Sequence, residues 1–210
     1  MRKNKMYTLL FCTVLLWVSF CSTGKVRKSE EKSLVSVAIV KLLNASKQSN
    51  YDYLSESLTD ATQTSMEKKF VYYHVPGDQL QGLSKELFNS AGNPDDDAVR
   101  SEALKIDADL VIYGYYTTTA AKKGDNVEIA FKVLRTDKGT VIAKISRNAA
   151  ISARIFNDIE NIAAAVVSKI ADYRAEQIRE SGIKDEATAN RKIQFTKESI
   201  SIAPFIPPAF

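Results

Sequence analysis

Cysteine occurs only at Cys12 and Cys21, close to the start of the chain, and none follows. An internal disulfide framework and a thiolate metal cluster in the body are therefore excluded. Histidine is equally scarce: His74 stands alone, so the commonest catalytic and zinc-binding side chain is nearly missing. Charge of one sign is lacking too. The 29 basic and 25 acidic residues nearly balance, and the balance tightens to about +1 if Arg2, Lys3 and Lys5 are removed with a leader segment. That is too even for a nucleic-acid surface read from net charge. The longest uncharged run near the start is Met6 to Phe20, shorter than the about 20 apolar residues of a membrane span. What remains is a 210-residue chain, 45% hydrophobic and 26% charged, with the balance of a globular protein.

The N-terminus carries an address. Three positive charges in Met1 to Lys5 precede the uncharged Met6–Phe20 run, the pattern of a secretory signal peptide, read here as residues 1–20. Val18-Ser19-Phe20-Cys21 followed by Ser22-Thr23-Gly24 is similar to a bacterial lipobox, in which Cys21 would be lipidated and become the first residue. Phe20 departs from the small residue usual there, although spirochaetal lipoproteins accept looser boxes. Cleavage after Gly24 by an ordinary signal peptidase and an uncleaved anchor stay open as alternatives. Acyl chains on Cys21 would hold the protein to a membrane, each buried methylene contributing about 0.8 kcal/mol. Residues 21–32, with the charged Lys25–Lys32 stretch, read as a tether.

The body, residues 33–180, alternates two hydrophobic periods. Leu34 to Leu43 is a β-branched apolar run that predicts a buried strand. Leu54, Leu58, Ala61, Ser65 and Met66 recur at helical spacing, and the helix ends near Lys68. Phe70–Val75 predicts a second strand closed by Pro76-Gly77-Asp78; Leu80, Leu83 and Leu87 then predict a helix. Pro94-Asp95-Asp96-Asp97 opens another helix, with carboxylates where the helix dipole favours them. Leu110–Tyr116 reads as a strand. Val127, Ile129, Phe131 and Val133 alternate with polar residues, and Val141, Ala143 and Ile145 alternate after the turn Asp137-Lys138-Gly139. These three strands predict an antiparallel meander. Ile155, Ile159, Ile162, Val166, Ile170 and Tyr173 then lay a stripe along one long helix, about Arg154 to Arg179. The order β-α-β-α-α-β-β-β-α predicts an α/β (α+β) two-layer domain. Residues 181–210 read as an irregular proline-containing tail in which Ile193, Phe195, Ile200 and Ile202 suggest weak strands.

Several stretches resemble the TolB amino-terminal domain superfamily, which includes periplasmic accessory lipoproteins. Val37-Ala38-Ile39-Val40 leads through Asn44 into Tyr53-Leu54-Ser55-Glu56-Ser57-Leu58-Thr59-Asp60-Ala61. Ala103 to Gly114 is similar to the family's approach to its third strand, and Val133 to Gly139 resembles its hairpin. Ser57 and Ile106 stand where the family commonly has glycine, and no propeller repeats follow. The resemblance implies a binding or scaffolding module without catalytic residues and with no cofactor.

Chemistry-bearing residues are few. His74 near Asp78 offers a general base without a nucleophile motif, and reads as a turn histidine. Asp95-Asp96-Asp97 lacks the ligand spacing and glycine of an EF-hand and reads as a helix cap, so no metal is expected. Asp107 and Asp109 read as punctuation before a strand, and Lys122-Lys123-Gly124-Asp125 as a hairpin tip without a phosphate loop. Phe210 at the end is like an outer-membrane barrel signal, but Pro207-Pro208 beside it argue against one. Tyr72, Tyr73, Tyr113, Tyr115 and Tyr116 form the candidate interaction surface, provided alternate rings of two strands reach one face. The primary expectation is a non-enzymatic, lipid-anchored envelope protein that binds another envelope protein or a periplasmic assembly. A surface adhesin for host extracellular proteins and an envelope hydrolase are the alternatives.

Overall fold

The computed structural model describes residues 34–46, 48–83, 94–122, 124–181 and 193–200. The chain divides into two compact units, Met1–Leu34 and Val35–Phe210, and the fold is that of the second. The signal segment, Cys21, the tether and Phe210 lie outside the described residues.

A mixed sheet runs β4-β1-β5-β6-β7. Next to one edge, β1 (Ser36–Ile39) lies parallel to β4 (Tyr73–His74) on one side and to the central β5 (Leu110–Thr119) on the other. The short β2 (Leu43–Asn44) extends the parallel pairing along β5. Strands β5, β6 (Asn126–Arg135) and β7 (Thr140–Ala150) form the antiparallel meander, closed at Gly139 with φ 63. Such positive φ suits glycine.

Period and burial agree in each layer. On the inner face, Val37, Ile39, Leu110, Ile112, Val127, Ile129, Phe131 and Val133 share one core with helices α1 (Tyr53–Lys69) and α3 (Ile155–Ser181). The α3 stripe is buried as its spacing demands, through Ile155, Ile159, Ile162, Val166 and Ile170. Each such side chain contributes about 1.5–3 kcal/mol on burial. On the outer face, α2 (Asp96–Lys105) brings Val99 and Ala103 against Ala38, Val40, Val111 and Tyr113. β1 and β5 are apolar on both faces because both are covered there. Arg100 of α2 donates to the carbonyls of Thr136 (2.8 Å) and Asp137 (3.1 Å), tying the helix to the β6–β7 turn.

Four expectations need correction. The 34–43 run divides into β1 and β2, which pair with different stretches of β5. The 70–75 run also divides: β3 (Phe70–Val71) pairs with β8 (Ile193–Gln194), whereas β4 pairs with β1. The helix expected from Leu80 starts as a 3-10 turn, Gly77–Gly82, held by Gln79 N–H to Pro76 O and Leu83 N–H to Leu80 O. Two glycines in six residues disfavour an α-helix; Leu87 lies outside the described residues. Residues 193–200 are not an irregular tail. Phe195 is fully buried and stacked on Phe70 at 5.1 Å, and Ile200 joins the same core. The backbone of Phe195 bonds both Val35 and Val71.

Candidate binding groove between two helices

A groove of about 750 Å³ lies between α1 and α3. Its origin is local. Leu54, Leu58, Thr62 and Met66 point α1 into the core, so Ser57, Ala61 and Ser65 line the seam with α3. Facing them, α3 presents Ala164. Small side chains on both helices leave space that two leucines would have filled. Ile159 and Val167 supply apolar wall. Acidic Asp60 and Glu160 and basic Lys68 and Lys69 complete the rim.

Phe156 lines this groove and is 53% exposed. Its ring lies 6.3 Å from that of Tyr53, which is 42% exposed, and Tyr53 lies 6.4 Å from Tyr51. The three rings make an aromatic row at the N-terminal ends of both helices. Tyr51 is fixed through its hydroxyl, which donates to the Asp125 carboxylate, and this bond raises the phenol's pKa above its ordinary value. The Tyr116 hydroxyl donates to the Tyr51 carbonyl at 3.0 Å, anchoring the row from the core. Sequence reasoning passed over Phe156 and Tyr53. The available signal was Phe156 itself, an aromatic one position off the buried α3 stripe.

The tyrosines singled out from the sequence do not form one surface. Tyr113 and Tyr116 are fully buried, in different cores on opposite faces of β5. Burial raises both phenols, Tyr116 to about 12; Tyr113 also donates to Asp96 Oδ1 at 2.9 Å. Tyr73 is 39% exposed on β4, opposite Ser36. Tyr115 is half-buried on β5, six residues beyond Asp109, which neighbours Ser36 across the strands. Six strand residues span about 20 Å, so these two rings are far apart. Tyr72 is half-buried, its hydroxyl enclosed without a partner among the described residues.

The remaining candidates hold the fold. His74 packs edge-on against Tyr72 at 6.3 Å, its Nδ1 enclosed without a partner among the described residues. Burial lowers its pKa, against the opposing pull of Glu67. Asp95 caps α2 by accepting from the amides of Asp97 (3.1 Å) and Ala98 (3.2 Å). Asp96 accepts from Lys132 Nζ at 2.7 Å. Asp107 adopts φ 53 and offers its carbonyl to the Ser36 hydroxyl at 2.6 Å. Asp109 Oδ2 accepts from the Ser36 amide at 2.8 Å and pairs with Lys197 at 3.4 Å, which clips the 193–200 segment to the start of β5. Gly124, at φ 113, marks the expected β5–β6 hairpin tip. Among the described residues, no cluster of three or more metal-ligating side chains occurs, and no helix is long and apolar enough to cross a membrane.

Compared by sequence, the chain matches no family model and no curated protein. By structure it is similar to the C-terminal domain of LpoB from Salmonella enterica, with TM-score 0.41 and 12% identity over 57% of this chain and 84% of that one. It is also similar to the lipoprotein GNA1162 from Neisseria meningitidis, with TM-score 0.39 and 18% identity over 66% of this chain and 99% of that one. TolB from Acinetobacter baumannii gives TM-score 0.42 and 14% identity over 67% of this chain but 29% of that one. Likeness at this level is too slight to carry a function or a partner across.

The aromatic row beside the groove has the chemistry of a protein-binding site. Exposed rings supply large apolar area at low entropic cost, and small residues beneath them admit a partner's side chain. The groove's rim is charged, with acid at Asp60 and Glu160 and base at Lys68 and Lys69.

Proposed function

We propose that this chain is an exported, non-enzymatic module of the cell envelope, anchored through lipid on Cys21, that binds another envelope protein in the α1–α3 groove. The observation that carries the reading is the exposed Tyr53–Phe156 pair at the mouth of that groove. The basic start, the uncharged Met6–Phe20 run and Cys21 support the address, and Lys25–Lys32 gives the domain reach from the membrane.

Phe156 and Tyr53 act as the anchors. Truncating an interface anchor costs about 2 kcal/mol or more, a loss of about thirtyfold in affinity. Both side chains are half-exposed, so the same substitutions change folding stability by only about 0.5 kcal/mol. A photo-crosslinking residue in place of Phe156 in intact cells is expected to capture one discrete protein, and Tyr53→Ala to abolish the adduct while the chain stays folded. Equal adduct yield in the Tyr53→Ala chain would refute the groove as the binding site.

The address has separate tests. Labelled palmitate is expected in the wild type and not in Cys21→Ala; label retained in the variant removes the Cys21 anchor. On the periplasm-facing reading, protease added to intact cells leaves the protein whole, and digestion follows only when the outer membrane is opened. Digestion in intact cells would instead favour surface display.

A further inference from the structure

The two edges of the main sheet are unequal. β4 offers only Tyr73–His74, whereas β7 runs from Thr140 to Ala150. Among the described residues β7 pairs with β6 alone. Its one irregularity is the register shift beside Val133/Leu134, which places Ile142 out of step and leaves 143–150 regularly paired.

The pairing fixes which backbone groups are free. Ile151 N–H donates to Asp125 O at 2.8 Å, so residues 151 and 125 form a hydrogen-bonded antiparallel pair. Such pairs alternate with non-bonded ones. The register 149–127, 147–129, 145–131 and 143–133 therefore uses the odd-numbered amides of β7 toward β6. Lys144, Ser146, Asn148 and Ala150 turn their N–H and C=O groups outward, and all four residues are exposed. The Ser146 carbonyl meets only its neighbour's guanidinium, Arg147 Nη1 at 3.3 Å.

Edge strands are normally blunted by proline, bulges, inward charges or exposed charged side chains, the last of which repel a like-charged edge but not an acidic one. β7 has no proline, and its bulge lies at the far end from 143–150. Alongside that stretch runs a second groove, of about 340 Å³, between β7 and α3. Ala149 forms its wall on the strand side, and Ile162 and Ala165 on the helix side. The strand carries Lys144 and Arg147 and no acidic residue. Lys144 has no ion pair among the described residues, whereas Lys132 on the next strand is neutralised by Asp96. Two acids flank the strand: Asp158 on the helix side, and Glu128 of β6, which is held by the Ser146 hydroxyl at 3.3 Å.

We propose that β7 is a strand-addition site that takes an extended, acidic segment of a partner protein. The segment bonds through its backbone to Lys144, Ser146, Asn148 and Ala150. Its alternate side chains fall on the α3 side, where a small apolar one fills the groove at Ile162 and Ala165 and a carboxylate meets Arg147; on the opposite face a carboxylate meets Lys144. The occupant is not a second copy: pairing two β7 edges would bring both copies' Lys144 and Arg147 together without a carboxylate on either strand. This site is independent of the α1–α3 groove and of the envelope address.

The test is selection of displayed random ten-residue peptides on the full-length chain. Expected winners carry acidic residues around small apolar ones, and their binding protects the amides of 144, 146, 148 and 150 from hydrogen exchange. Ser146→Pro removes an outward donor at an edge position where proline is tolerated, and should weaken binding about tenfold or more. The doubly reversed Lys144→Glu, Arg147→Glu chain, altered only at exposed side chains, should lose acidic peptides by a similar factor; Phe156→Ala should keep them. Four outcomes would overturn the proposal. These are no peptide selected, winners without acidic residues, protection elsewhere than β7, or a dimer whose β7 amides are already protected in the free protein.

Discussion

Phe195→Ala is the sharpest test of where this domain ends. Phe195 is fully buried, and its ring stacks on Phe70 at 5.1 Å with an interplanar angle of 27°. Truncating a buried phenylalanine costs about 3–5 kcal/mol, and loss of an aromatic pair is worth about 0.5–1.5 kcal/mol beyond area. Against a domain stability of about 5–15 kcal/mol, that is about a fifth of the total or more. For a chain of this size each kcal/mol moves the melting temperature by about 2–4 °C, so a drop of roughly 6–20 °C is expected. Urea unfolding followed by circular dichroism gives the free energy directly. Gln194→Ala, at the exposed neighbouring position, is the control and should stay within about 0.5 kcal/mol. The Phe70→Ala, Phe195→Ala double variant should lose less than the sum of the singles, because each ring is the other's neighbour. A loss below about 1 kcal/mol for Phe195→Ala would refute the docking of residues 193–200.

Other perturbations probe the sheet and its titrating groups. A Cβ at Gly114 would sit 2.0 Å from the Ala130 carbonyl oxygen, so Gly114→Ala must part β5 from β6; thermal melts should show about 1–3 kcal/mol lost, and a neutral result would refute the close approach. His74 has a folded pKa below its unfolded one, so the folded state binds fewer protons and stability falls as pH drops through about 6.5. His74→Gln should flatten the melting temperature between about pH 7.5 and 5.5; an unchanged slope would show that His74 does not set it. Arg135 is 2% exposed and makes two bonds to Asp137 and one to Tyr173. Burial alone would raise Asp137, but the guanidinium's hydrogen bonds and charge outweigh it and hold the carboxyl below its ordinary range. Its contribution is present above the ordinary carboxylate pKa and is lost as pH falls further, so Asp137→Asn should show a shallower acid transition than the wild type.

Local chemistry by itself determined most of the secondary structure. The 3.6 period from Ile155 to Tyr173 could only be a helix, and it is one, as α3. The strict alternation of Val127, Ile129, Phe131 and Val133 fixed both β6 and its buried face. Turn and cap signals read equally well: Gly139 has positive φ and Asp95 caps α2, because those roles depend on a residue and its immediate neighbours. Tertiary structure decided whatever depends on which segment lies alongside which. Phe70–Val75 divides because its two halves meet different partners, β8 and β1, a choice written nowhere within the segment. Phe195 became core because Phe70 and the Val35 and Val71 backbones wait for it more than a hundred residues upstream. The tyrosines parted for the same reason: alternation along β5 turns Tyr113 to one face and Tyr116 to the other, but only helices on both faces bury them. Phe156 is left in the open because α1 meets α3 there with serine and alanine, a shortage of volume that arises only when the two helices are brought together.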